Sequence, residues 1–459
     1  MRHSLPLAIT PLVACSAIGF MAGSSVGLAG PTLNFGEPVA ISAADGRGMG
    51  PDIAVGADGV VHVLWIDKAP PPAEPSPEDV AAGHTHTATD QLWYRRSAGP
   101  ATTGRIAALS SPVRVNSRDG EVWGFAVSKP ELDLDSRGNV HVFFTGNDTS
   151  EKTGKGLLVA RYTRSTDGGA SFAPGRTLNS AATNDLSAVM HGGFAAAHAF
   201  GTLLVDGDDV QAFWIDTRDM TEKDTAGAAW RAVSRDGGQT FGPDHAAYAD
   251  NVCPCCQLSA AKSGDRVLLS SRVTYPGGFR DSAVGPAGAG SEQFEPPVRV
   301  GEGQWKIEGC PLKRTAIAAA DRNVYAAAYT GGRDPAGVYF SRSIDGGRTY
   351  LPAILMHPGA AVSDSPAVAS APNGTVIVAW HAKTDGGRRV FLRGSTDGGA
   401  SFSGVAELPA PAGISAYPEL DIAPDGSAWL AWLQEQQVYV VRVTVSPGRD
   451  GSVAGLRTP

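Results

Sequence analysis

Hydrophobic and polar positions along this chain repeat one unit: a short apolar stretch, a tight polar turn, then a second stretch that is apolar almost throughout. The unit recurs at 51–66, 130–145, 203–215, 258–273, 315–329, 366–381 and 418–433. Its turns carry Asp58-Gly59, Gly138-Asn139, Gly207-Asp208, Gly264-Asp265, Arg322-Asn323, Asn373-Gly374 and Asp425-Gly426, residues that tolerate the positive φ of two-residue hairpins. A strand with no polar side is one buried on both faces. Self-similarity at a near-constant period identifies solenoids and propellers before any single strand is assigned.

A third, alternating strand follows each pair, and in four places it runs into the same turn, at 165–172, 234–241, 343–350 and 395–402. All four fit Ser-x-Asp-Gly-Gly-x-Ser/Thr-aromatic, with Asp167, Asp236, Asp345 and Asp397 at the third position. A carboxylate there accepts N–H groups of its own turn, the glycines reach positive φ, and the aromatic pins the hairpin inward. A fourth, outer strand is read at 38–42, 112–116, 174–178, 243–248, 296–300, 352–356 and 405–408. The first of these precedes every inner strand and the last inner strands lack an outer partner. The N-terminal segment is therefore expected to pair beside 438–445 and complete the last blade, which removes exposed sheet edges. The fold expected is an all-β propeller of seven four-stranded blades, with six as the alternative if one blade has been counted twice.

The four turns resemble the Asp-box, or BNR repeat, of the sialidase superfamily, and through the repeats the resemblance covers nearly the whole chain after its first thirty residues. It implies a β-propeller. It also implies that the boxes are structural and lie at the end opposite the functional face, because box-bearing propellers include many that cleave no sugar.

Charge narrows the partners. With 38 Lys and Arg against 46 Asp and Glu, the net charge is -8 and no basic stripe is present, which argues against nucleic acid. Residues 1–30 read as an export signal: Arg2 and His3, an apolar run from Leu5 to Met21, and small residues from Gly27. Leu12-Val13-Ala14-Cys15 also resembles a lipoprotein box, so anchoring through Cys15 is the alternative to a periplasmic or extracellular chain. Residues 31–459 are expected to form a single domain with no membrane span, and a monomer.

Function is expected where the loops leading into successive blades converge, on a face that offers a glycan or protein ligand a shaped surface. If the sialidase resemblance extends to chemistry, it implies an exo-α-sialidase-type glycoside hydrolase with Tyr417 as nucleophile, Glu308 as its partner and Asp90 as acid/base. Arg47, Arg333 and Arg118 would then hold the substrate carboxylate. The sequence departs from that pattern at the first arginine, where Met49-Gly50-Pro51 stands in place of Arg-Ile-Pro.

The most specific feature outside the boxes is Cys253-Pro254-Cys255-Cys256 together with Cys310 in Lys306-Ile307-Glu308-Gly309-Cys310-Pro311. The combination resembles a bacterial sialidase-like subgroup with a Cys-x-Cys-Cys segment. Two disulfides suit an oxidising compartment. A copper or zinc thiolate site, with His191 as a further ligand, suits the softness of four sulfurs, and redox chemistry is the third option. A non-catalytic binding propeller carrying such a site stands beside glycan processing as the alternative function.

Overall fold

The computed structural model describes residues 30–68, 90–101, 105–149, 156–180, 198–220, 226–288, 291, 293–309, 311–360, 362–423 and 425–448. These residues form strands and turns, and no helix is present among them. The compact unit is Gly30–Pro447. Residues 1–29, which hold nearly all of the segment expected to direct export and include Cys15, lie outside the described residues, as do Cys310 and His191.

Every sheet is an antiparallel meander. Four have four strands, beginning at Gly48–Val55, Glu131–Leu134, Thr315–Ala320 and Ser363–Ser370. An eight-stranded sheet joins two such meanders, beginning at His198–Asp206 and Ser259–Ser263, and their only shared pair is Val252 with Val273. The last sheet begins at Ser415–Ile422 and is completed by the N-terminus. Thr32–Phe35 pairs with Val443 to Ser446, and Val39–Ala40 pairs with Tyr439 and Val440. The pairing expected from the missing outer strand is thus present. The second strands are apolar because both faces are covered: Trp214, Trp380 and Trp432 are fully buried.

Neighbouring meanders are tied through their first strands. Leu132 N donates to Asp52 at 2.7 Å, Val205 N to Asp133 at 2.8 Å, and Leu258 N to the Phe200 carbonyl at 3.0 Å. Arg314 reaches the Pro366 carbonyl at 3.3 Å, and Tyr417 N donates to Nδ1 of His381, on the second strand of the neighbouring meander, at 3.2 Å. Val55 N then donates to Asp421 at 2.7 Å, which links the last meander to the first. A cavity of about 170 Å³ borders all seven first strands. This all-β arrangement is consistent with a propeller.

The four repeated turns have one geometry. Asp167 accepts Ser171 N at 2.9 Å, the Ser171 hydroxyl at 2.6 Å and the Ser165 hydroxyl at 2.7 Å. Thr240, Thr349 and Ser401 play the part of Ser171 for Asp236, Asp345 and Asp397. The Ser171 and Ser165 hydroxyls hold the Asp167 carboxyl down to about 2. In three of the turns the aromatic packs on the third strand of the preceding meander: Phe172 on Tyr94, Phe241 on Tyr162 and Phe402 on Phe340, at 5.3, 4.8 and 4.9 Å between centroids. Gly238 must be glycine twice over. Its φ is +77°, and a Cβ there would lie 1.8 Å from the Tyr162 hydroxyl.

A second device recurs where first strands reach the central cavity. Gly50, Phe200, Ser365 and Tyr417 all have φ between 48° and 54°, and the strand register shifts at each of them. The bulge re-aims the chain as it turns inward. Non-glycine residues at positive φ store strain of about 1 kcal/mol or more, and here that strain belongs to the repeat.

Candidate functional site

At the central cavity the first strands converge charges drawn from distant parts of the chain. Lys129 Nζ lies 2.9 Å from Asp52, 2.5 Å from Glu131 and 3.7 Å from Glu419, with its side chain 5% exposed. Arg314 pairs with Glu419 at 2.5 Å and approaches Glu131 at 3.9 Å. Burial opposes the charge on Lys129, yet the three carboxylates win and raise its pKa above the ordinary lysine range. Further along the first strands, burial pushes Asp133 up to about 7 and Asp421 up to about 6, against hydrogen bonds from Val205 N and Val55 N. Beside this cluster, a mouth lined by Gly50, Gln257, Leu312, Asp364 and Tyr417 opens outward. Lys313 and Asp364 form an ion pair.

One connecting segment serves both this mouth and a second, sulfur-lined site. After Val252 ends its strand, Cys253 N donates to the Arg272 carbonyl at 2.8 Å, and a Cys-Pro-Cys turn brings the thiols round to one side. Cys253 Sγ lies 3.8 Å from Cys255 Sγ and 3.7 Å from Cys256 Sγ, and all three sulfurs fall within 4.8 Å of one another. They are buried at 4% exposure or less, among Trp123, Phe200 and Leu258. Gln257, the next residue, turns the other way and donates to the Lys129 carbonyl, Glu131 and the Gly201 carbonyl.

One guanidinium touches the sulfurs, and a second is linked to them through the backbone of Lys313. Arg280 Nη1 is 3.0 Å from Cys253 Sγ. Arg272, 1% exposed, spends its donors on the carbonyls of Lys313, Arg280 and Tyr329, all neutral acceptors. Lys313 N in turn donates to Cys256 Sγ at 3.4 Å. Hydrogen bonds from Cys255 and Cys256, aided by Arg280, pull the Cys253 thiol well below its ordinary value, whereas burial and the neighbouring Cys253 push Cys256 up. The cluster is therefore built to hold thiolate charge first at Cys253.

Two disulfides were expected from compartment, and the structure does not place any among the described cysteines. Separations of 3.7 and 3.8 Å far exceed the roughly 2.05 Å of an S–S bond. The turn brings the sulfurs of Cys253, Cys255 and Cys256 within 4.8 Å of one another, a spacing that could hold a metal ion. Cys310 lies outside the described residues.

The sequence-derived catalytic set is spread out. Tyr417 borders the mouth, with its ring edge-on to His381 at 5.2 Å. Glu308 is exposed, and no hydrogen bond or ion pair joins it to Tyr417 among the described residues. Asp90 is 1% exposed and packs on Gly124, where a Cβ would lie 2.2 Å from its Oδ2. Arg47 N donates to Asp67 at 2.6 Å, Arg118 N donates to Glu121 at 3.3 Å, and Arg333 lies over the Tyr339 ring near Glu302. None of the three arginines borders the mouth where Tyr417 lies. Sequence reasoning did not single out Lys129, Glu131, Asp52, Glu419 or Arg314. The signal available was a charged residue at the head of an otherwise apolar first strand.

No family model matches the chain, and no curated protein matches it. Among solved structures, a protein of unknown function from Dyadobacter fermentans DSM 18053 is similar at 13% identity, with a TM-score of 0.50 over 90% of this chain and 99% of that one. A polysaccharide lyase of family PL25, an ulvan lyase, is similar at 14% identity and a TM-score of 0.49, over 90% and 94%. The Hadza microbial sialidase Hz136 follows at 12% identity and 0.47, over 92% and 97%. At these identities the likeness is one of all-β fold.

Proposed function

We propose that the chain is an exported, seven-bladed binding propeller closed by its N-terminal strand, and that it holds a thiophilic metal ion on Cys253, Cys255 and Cys256. The observation that carries this reading is the sulfur geometry. Zinc–thiolate bonds of about 2.3 Å in a tetrahedron set their sulfurs about 3.8 Å apart, and the cluster has 3.8 and 3.7 Å before any ion arrives. Soft sulfur ligands select copper(I) and zinc. Burial in an apolar cluster excludes competing water, and Arg280 favours the thiolate that a metal needs. Cys310 is the proposed fourth ligand, on its pairing with the Cys-x-Cys-Cys segment in the sequence.

The test is metal analysis of protein purified anaerobically, with thiols counted before and after chelation. One ion per chain is expected, falling to near zero in the Cys253→Ser, Cys256→Ser double variant. Metal-free protein that takes up neither ion under reducing conditions would refute it.

A glycan ligand at the mouth is a second reading, favoured by Tyr417 beside Arg314, Glu419 and Asp364 on the cavity rim. If that ligand is hydrolysed in the sialidase manner, with Asp90 and Glu308 assisting and Arg47, Arg118 and Arg333 binding, a fluorogenic sialoside is turned over and Tyr417→Phe abolishes turnover. No turnover by the intact chain removes the hydrolase reading.

A further inference from the structure

We infer that the cleft between the meanders beginning at His198 and Ser259 is a binding site for a neutral sugar. It shares no residue with the mouth beside Tyr417. The cleft exists because one outer strand departs from the repeat. In five meanders the outer strand is a two-residue ladder, as at Val298–Arg299 and Ile354–Leu355, whereas here it runs through His245–Val252. Tyr248 pairs with Ala229 and Val252 with Gly227, so Ala249, Asp250 and Asn251 bulge out against Ala228 alone. Val252 then crosses to Val273 of the next meander. The space enclosed is about 520 Å³, inside the range of roughly 300–1,000 Å³ for small-ligand sites.

The lining selects the ligand. Tyr275, Phe294, Pro276, Pro296 and Pro297 give the cleft flat apolar walls. The rings are held in place, Phe294 edge-on to Tyr248 at 5.5 Å and Tyr275 under the Arg299 guanidinium at 4.2 Å. Ser271 is 1% exposed, and neither its hydroxyl nor that of Thr274 has a hydrogen-bond partner among the described residues. Buried polar groups normally have partners, and two without one bordering a single cleft point to a ligand that brings hydroxyls of its own. At the lip, Asn251 donates to the Asp250 carboxylate at 2.8 Å, and both side chains are exposed. That carboxylate keeps lone pairs for further donors. A sugar ring matches these surfaces, with a C–H face for the aromatic wall and hydroxyls around its edge.

Charge decides which sugars. No Lys, Arg or His lines the cleft among the described residues, and Glu295 is paired with Arg266. Asp250 therefore sets the sign of the field at the lip and disfavours carboxylated or sulfated rings.

The experiment titrates the full chain by calorimetry with cellotriose, xylotriose, maltotriose, mannotriose and chitotriose. Sialyllactose and trigalacturonic acid are the acidic comparisons, and hexaproline tests a peptide in the proline-walled groove. At least one neutral trisaccharide is expected to bind, more tightly than either acidic sugar. Tyr275→Ala, which removes a stacking ring, and Asp250→Ala, at the exposed lip, are each expected to weaken it about tenfold. If Tyr275→Ala does not fold, Asp250→Ala decides. A neutral sugar held equally by wild type and the variants overturns the inference and leaves a glycan at the mouth standing. Tighter binding of an acidic sugar, binding of hexaproline alone, or no binding of any neutral trisaccharide overturns it too.

Discussion

Lys129→Met tests the central cluster most sharply. Methionine nearly matches lysine in volume, so the change removes charge without opening a cavity. Lys129 Nζ has Asp52, Glu131 and Glu419 within 3.7 Å, and the side chain is 5% exposed. Three carboxylates balanced by two cations become three balanced by Arg314 alone. Removing one partner of a buried ion pair costs about 3 to 5 kcal/mol, because the charges left behind are uncompensated. The loss must also depend on pH. Without Lys129 the folded-state pKa values of Glu131 and Glu419, already raised by burial, rise further above the unfolded value. The penalty is therefore full at pH 8 and shrinks as pH falls and the carboxylates take up protons. Urea unfolding followed by tryptophan fluorescence at pH 8, 7 and 5 measures both features. A loss under about 1 kcal/mol at pH 7 would refute the reasoning, as would an equal loss at pH 5 and pH 8. Adding Glu131→Gln to Lys129→Met should restore part of the stability at pH 7.

Asp133, up at about 7, and Asp421, up at about 6, have folded values above the unfolded one, so they cost stability at neutral pH. Burial lowers His62, His141 and His381 to about 4, which acts the other way over the same range, so the check is a difference: the change in unfolding midpoint caused by Asp133→Asn should be more favourable at pH 7 than at pH 4, and an equal change at both would contradict it. Gly238→Ala places a Cβ on the Tyr162 hydroxyl at positive φ and should cost about 1 to 3 kcal/mol in the same unfolding assay, with metal content unchanged. Removing residues 31–40 bares the strand Gln437–Ser446 as a sheet edge, and gel filtration should show association where the full chain gives one species.

The repeat made much of this fold legible. Turn residues such as Asn373-Gly374 and the apolar second strands fix local pairings that depend on neighbours in sequence, and the N-terminal partner of the last sheet followed from counting what was missing. The central cluster was not legible, because its members come from strands far apart in the chain and each, read alone, is an ordinary surface residue. Asp52 and Glu419 meet at Lys129 only once the first strands converge. Tyr417 was singled out by its position ahead of the last meander, and its left-handed backbone is shared with Phe200 and Ser365 as a property of the repeat. The disulfide expectation rested on compartment, which carries no information on where a Cys-Pro-Cys turn aims its sulfurs.

The segment from Cys253 to Gln257 faces two ways, and this gives it the character of a lever. Cys256 Sγ is one of the three sulfurs, while the adjacent side chain grips the Lys129 and Gly201 carbonyls and Glu131. An ion that fixes the sulfurs fixes the backbone from which that grip is made, with no flexible residue between. By reciprocity, anything that settles more tightly on the central charges when Gln257 is held must tighten the hold on the ion by the same factor. A propeller of rigid sheets would then carry its communication through five residues of connecting chain.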